Sequence, residues 1–287
     1  MKNSPSPGIN TEKSVDALVK TIRIPPRPSL LADVQQELSA RAPDPRKLAK
    51  IIANDVALSA SLMKLTNSSF FGLRLKASSV EHAVDLLGLN QCSMLLTGII
   101  ARQTINTGGA SMARFWDFST KRAQAMVYLA RQMRVCATDM AHTFGLFCDI
   151  GVPLLMEKFP DYSKMLEKAN RDLVNKLTDL EDQRYNTNHA AVGSLLARTW
   201  GLPNEVSVAI LLQHDYRSLQ DRATEDTVRT LVALALLAEY AIHKYHGEDL
   251  FAEWEKGGEI ACHFLGLSQH ELDDRFDELH EMFNGTH

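Results

Sequence analysis

The chain has 287 residues, of which 45% are hydrophobic and 23% charged, and its formal net charge is −4. This composition predicts a folded globular protein of one or two domains and excludes a largely disordered chain. The longest apolar run, residues 231–238, is too short to cross a bilayer, and residues 1–13 hold no apolar segment of a secretory signal. We therefore expect a cytoplasmic protein with no membrane segment, and a pI near 6.2 provides no basic surface for nucleic acid.

Signals for helix starts recur along the chain, where a Ser, Asp or Asn precedes an apolar stretch of helical period. The residues in this position are Asp44, Asp55, Asn188 and the first serines of two capping boxes, Ser78 with Glu81 and Ser268 with Glu271. Gly88, Pro153 and Pro160 then break the helical pattern into shorter pieces. No segment alternates with a period of two, so the sequence predicts an all-α protein.

The cysteines are scattered and form no CxxC pair; they are Cys92, Cys136, Cys148 and Cys262. This spacing excludes a zinc ribbon and a disulfide framework. We expect each cysteine to be a small apolar residue of the core.

Breaks and composition divide the chain into an arm (residues 1–21), a first helical subdomain (residues 22–107), a second (residues 108–247) and an acidic helical tail (residues 248–287). Gly108-Gly109 is the best candidate for an internal linker. The tail carries eleven acidic and two basic side chains. Its apolar stripe, formed by Leu272, Phe276, Leu279 and Phe283, predicts docking either onto its own bundle or onto a second copy.

Six segments in order resemble the HDOD family, an output-domain branch related to the HD phosphohydrolases. They are residues 24–28 (IPPRP), 51–72, 78–91, 115–119 (FWDFS), 145–151 (GLFCDIG) and 189–203 followed by His214-Asp215. The resemblance covers residues 22–245 and implies an N-terminal helical bundle packed on an HD-like helical domain, here residues 108–247. It also implies a role in bacterial signal transduction, such as the output of a response regulator, rather than an established catalytic activity.

The resemblance further implies where a metal site would lie. HD enzymes bind a divalent metal through His and Asp side chains from several helices, and the metal activates a water against phosphate. At the matched positions this chain has Phe118 in place of a His, and Cys148 in place of the His that precedes the retained Asp149. His189 and His214 match later histidines of the family, whereas Asp215 stands where the second His of a pair is usual.

This incomplete ligand set favours no metal, no cofactor and no catalytic residue. We expect Cys148 to pack in the core and Asp149 to bond a neighbouring helix. We expect His189 to bond free backbone groups at a helix start, and His214 to complement a helix dipole.

Three functions remain open at this point. The first is a non-catalytic regulatory module, a pseudoenzyme that binds signalling proteins or another domain. The second is a metal-dependent phosphohydrolase or cyclic-nucleotide phosphodiesterase with an altered site. The third is a nucleotide or small-molecule sensor that uses the vestigial pocket, and the sequence does not separate it from the first.

Overall fold

The computed structural model describes residues 22–68, 71, 73, 75–105, 110–248 and 250–285. Every regular element in these residues is a helix, which confirms the predicted all-α class. The predicted arm and the linker at Gly108-Gly109 lie outside the described residues, and the predicted domain boundaries stay predictions.

The elements fall into a first group, a second group and a C-terminal pair. The first group contains α1 (Ser29–Leu38), α2 (Pro45–Ala53), α3 (Val56–Thr66) and α4 (Val80–Thr104). The second contains α5 (Ala110–Met133), α6 (Thr138–Phe147), α7 (Gly151–Lys158), α8 (Tyr162–Ala169), α9 (Leu177–Tyr185), α10 (His189–Thr199), α11 (Asn204–Leu212), a 3₁₀ turn (Tyr216–Gln220) and α12 (Asp226–Tyr245). The pair is α13 (Ala252–Leu265) and α14 (Gln269–Gly285).

The predicted capping residues start the helices at which they stand, except at the box of residues 78–81, where the cap is Ser79, one residue later than predicted. Asp44, Asp55, Ser79 and Asn188 each accept a backbone N–H of the first turn, at 2.7–3.1 Å. At Ser268 the backbone N–H donates to the Glu271 carboxylate at 2.9 Å, which is half of a capping box. Each such cap stabilises its helix by about 1 kcal/mol.

The first group is organised around α4, which packs against α1, α2 and α3 and also against α6 of the second group. Gly88 has non-helical φ and ψ angles of 73° and 167°, so α4 is two helical pieces joined at a kink. By length and composition alone α4 could cross a membrane. Its apolar residues, such as Cys92, Leu96 and Ala101, are instead fully buried against the neighbouring helices, as in the core of a globular bundle.

The second group is built on the antiparallel pair α5 and α6, against which α12 packs. The C-terminal helices close this bundle, since α13 packs on α12 and α14 packs on both α5 and α12. Leu272, Leu279 and Phe283 are buried there, so the apolar stripe of the tail docks onto its own bundle.

Two side chains tie the first group to the second. The Trp200 indole N–H donates to the Pro25 carbonyl at 3.0 Å, and Gln35 Nε2 donates to the Trp200 carbonyl at 3.1 Å. The proline-rich lead-in at residues 25–28 therefore lies along the second group.

Candidate functional site

Three helices bring three of the matched positions together inside the second group. Asp149 follows α6, His189 begins α10 and His214 follows α11. The turn into α7 lies directly on the start of α10, because Gly151 has no side chain: a Cβ there would stand 2.1 Å from the His189 carbonyl oxygen. This close approach places the Asp149 carboxylate 3.5 Å from His189 Nε2.

Arg122, which sequence reasoning missed, is the cation at the centre of the cluster. Its side chain lies on α5 and is 0% exposed. Nη1 donates to Asp149 Oδ2 at 2.5 Å and to Glu239 Oε1 of α12 at 2.7 Å, while Nε donates to the Gly145 carbonyl at 2.8 Å. One guanidinium therefore joins α5, the end of α6 and α12.

The charges around Arg122 set the protonation of its partners. Burial would raise the pKa of Asp149, but Arg122 and His189 lower it to about 2. Glu239 behaves in the opposite way: burial and the nearby Asp149 charge raise its pKa, and Arg122 offsets this only in part. Of the two carboxylates, Asp149 is therefore the one whose ionised form the surroundings favour more strongly.

Phe118 and Cys148, which replace two family histidines, offer the cluster no ionised ligand. The Phe118 ring lies one turn before Arg122, with its centroid 5.5 Å from the guanidinium carbon, in cation–π contact. Cys148 is fully buried, and burial raises the pKa of its thiol well above the ordinary range. Its full burial makes this cysteine a residue of the core, as the sequence predicts.

His189 forms one arm of the cluster. Its Nδ1 lies 2.7 Å from Glu181 Oε2, and Glu181 is also the acceptor of the Tyr162 hydroxyl. Burial would lower the pKa of His189, but Glu181 and Asp149 more than offset this and raise it to about 9. The partners of the ring are thus side chains rather than the free backbone groups expected at a helix start.

His214 forms the second arm. Its Nδ1 lies 2.7 Å from Glu253 Oε2 of α13, which also accepts the Tyr216 hydroxyl at 2.6 Å. The other oxygen of Glu253 binds Lys256 Nζ at 2.8 Å, and that ammonium donates to the Asn175 carbonyl at 2.7 Å. A chain of contacts therefore runs from the buried imidazole to the loop between α8 and α9.

Asp215, the last of the matched positions, does not join the cluster. Its carboxylate binds Lys176 Nζ at 2.7 Å, and both side chains are more than one-third exposed. An exposed pair of this kind stabilises the fold by no more than about 1 kcal/mol.

Two sets of side chains come close enough to suggest a metal site, with ligand atoms all within 4.8 Å of one another: Asp149, His189 and His214, and Cys148, Asp149 and Glu239. A protein nitrogen lies within each set. Gln213 Nε2 is 3.0 Å from His189 Nε2 and 3.5 Å from Asp149 Oδ1, and Arg122 Nη1 bridges Asp149 and Glu239. A bound ion would have to displace these nitrogens from the carboxylates and the imidazole, so the residues as they stand do not fit a metal ion.

Two of the residues that sequence reasoning missed share one signal. Arg122 and Glu239 are charges on helix faces that are otherwise mostly apolar, and each needs a partner once buried. Glu181, Gln213 and Glu253 lie in polar stretches, where nothing in the sequence distinguishes them from exposed residues.

The helical arrangement around this cluster is that of the HD-like fold. A solved structure provisionally named as a phosphohydrolase, from Shewanella amazonensis, superposes with a TM-score of 0.73 over 95% of each chain, at 18% sequence identity. Another, provisionally named as a signal transduction protein, from Marinobacter aquaeolei, gives 0.70 over 96% of this chain and 64% of that one, at 20% identity. At these identities the likeness shows the fold alone.

The family follows from the sequence match. The model of the HDOD domain matches residues 24–216, and the chain belongs to the HDOD family. An uncharacterized protein of Treponema pallidum is 26% identical over 199 residues, which are 67% of this chain and 38% of that protein. The chain thus matches well under half the length of that relative.

Proposed function

We propose that this chain is a non-catalytic signal-transduction module of the HDOD type, which acts through protein–protein or domain–domain contacts in the cytoplasm. The observation that carries the proposal is the position of Arg122, whose guanidinium binds both Asp149 and Glu239. The partners that this role implies are other signalling proteins, including a second copy of the chain.

The chemistry of Arg122 argues against the phosphohydrolase alternative. Metal-dependent hydrolysis requires a cation that lowers the pKa of a bound water and leaves a coordination position for it. A guanidinium has no acceptor and no empty coordination position, and it cannot generate hydroxide. The carboxylates that an ion would use are already ion-paired to it.

The experiment is a joint measurement of metal content and hydrolysis on the full chain, purified with and without added Mn²⁺. We expect substoichiometric metal by elemental analysis and no hydrolysis of bis(p-nitrophenyl) phosphate or cyclic dinucleotides above buffer. One tightly held metal per chain that is lost in Asp149→Ala, together with Mn²⁺-dependent hydrolysis, would overturn the proposal.

A further inference from the structure

A cavity of about 460 Å³ lies between the two helical groups, and none of the residues that line it belongs to the cluster around Arg122. The first group contributes Arg27, Gln36 and parts of α4, and the second contributes the start of α6 and the turn at residues 201–203. An adjoining cavity of about 630 Å³ shares Leu89, Asn90 and Asp139 with it. Sites for small molecules commonly have volumes of about 300–1,000 Å³ and lie between packed units of a fold.

The cavity has one cation and one carboxylate, on opposite groups. Arg27 and Asp139 both line it, and neither takes part in an ion pair among the described residues. The Arg27 guanidinium lies against the turn at Gly201, where a Cβ would stand 3.3 Å from Nη1. One Asp139 oxygen accepts the Met140 N–H at 2.9 Å, which leaves the other for a ligand.

The rest of the lining combines an apolar face with hydrogen-bonding groups. Leu89, Met94, Met140 and Leu202 form the apolar part, and the two thioethers can adapt to side chains of different shape. Asn90 and Ser93 add polar groups from α4.

We propose that this cavity binds a small zwitterion with an apolar side chain, of the class of amino acids and dipeptides. The ligand carboxylate pairs with Arg27, and its ammonium donates to Asp139. Its apolar side chain packs on Met94 and Met140. A dipeptide carries the same two charged termini as an amino acid and offers more apolar surface to the two methionines.

Such a ligand bridges the two helical groups at the contact where Gln35 holds the carbonyl of Trp200. Its binding favours the conformation in which the two helical groups are packed together. The cavity thus gives the module a regulatory site that is separate from the buried cluster. Binding of a ligand in this cavity does not depend on whether the buried cluster is catalytic.

The test uses isothermal titration calorimetry on the full chain with Leu-Leu and leucine, and with two blocked dipeptides. N-acetyl-Leu-Leu lacks the ammonium, and Leu-Leu-amide lacks the carboxylate. We expect Leu-Leu to bind, each blocking group to weaken binding about tenfold, and Arg27→Gln and Asp139→Asn to do the same. Asp139→Asn should have no further effect on the acetylated ligand, and Arg27→Gln none on the amide.

Lys164→Gln, on the separate surface of α8, is the control and should bind like the parent chain. Thermal melting of every variant checks the fold. If leucine binds more tightly than Leu-Leu, the result supports a zwitterion site and identifies its ligand as a single amino acid. Absence of heat for both ligands at millimolar concentration overturns the proposal, as does an affinity that neither Arg27→Gln nor Asp139→Asn changes.

Discussion

The Nε2 atoms of His189 and His214 lie 3.0 Å apart, and the Nδ1 atom of each ring lies 2.7 Å from a buried carboxylate. The carboxylates of Glu181 and Glu253 are ionised, because their hydrogen-bond partners outweigh burial and lower the pKa of both. An ionised carboxylate only accepts, so both Nδ1 atoms carry protons. At neutral pH His189 is the ring whose raised pKa retains a further proton.

His189, whose pKa is raised to about 9, and Arg122 together place two positive charges among the carboxylates of the cluster. A divalent ion would bring the same charge to the same place. Cationic groups of the chain itself therefore lie beside Asp149 and Glu239, which explains how these two carboxylates are accommodated there.

The first prediction concerns the pH dependence of stability. The pKa of His189 is raised in the folded chain to about 9, from an ordinary value of 6.5. The folded state therefore holds a proton that the unfolded state has lost, and stability falls as the pH rises from about 6.5 through 9. The full difference is on the order of 3 kcal/mol. Urea denaturation between pH 6 and 10 measures it, and His189→Gln should lack this decline; an equal decline in that variant contradicts the assignment.

The second prediction concerns removal of the central cation. Arg122→Met leaves Asp149 and Glu239 without their partner and should destabilise the fold by about 3–5 kcal/mol. Adding Glu239→Gln should recover part of the loss, because one fewer buried charge is unpaired. Arg184→Met, which removes an exposed ion pair with Asp161, is the control and should cost less than about 1 kcal/mol. Equal urea midpoints for Arg122→Met and Arg184→Met would show that the buried ion pairs add no more to stability than the exposed pair does.

The third prediction concerns return of the family ligands. In the variant that combines Arg122→Ala, Phe118→His and Cys148→His, the cation is gone and both matched positions carry imidazole. We expect this variant to be stabilised by Mn²⁺ or Zn²⁺, by about 2.7 kcal/mol at a metal concentration one hundred times the Kd. Thermal melting with and without metal measures the effect, and the parent chain should show no shift. If the variant melts cooperatively and neither metal changes its melting temperature, Arg122 is not the group that prevents metal binding.

The fourth prediction concerns the loop that Lys256 holds. Val174 is 86% exposed. The carboxylate of Asp172, two residues earlier, accepts the N–H groups of Val174 and Asn175 at 2.8 Å. Lys256→Met removes the anchor on the Asn175 carbonyl, and amide hydrogen exchange at residues 173–176 should rise at least severalfold. Lys164→Met, which has no such contact, should leave exchange there unchanged. Equal exchange in both variants would mean that the aspartate turn alone holds the loop.

The fold was largely predictable from the sequence, because its signals are local. A capping residue such as Asp55 and the N–H group that it binds lie within one helical turn, and both are visible in a short window of sequence. The kink at Gly88 was equally readable, since only glycine adopts its positive φ without strain.

The cluster was predictable only in part, because its partners are distant in the chain. The matched positions Asp149, His189 and His214 do converge, but Arg122 meets Asp149 across 27 positions and Glu239 across 117. A single sequence carries no sign of such pairings. What it did contain was a cation and a carboxylate on apolar helix faces, where burial forces each to find a partner.

The three hydrogen bonds of Arg122 also bear on how the molecule matures in a cell. A guanidinium is synthesised with the chain, cannot dissociate from it and is not removed by a chelator. The hydrogen bonds that link α5, α6 and α12 therefore form as soon as these helices pack together, whatever the supply of trace elements.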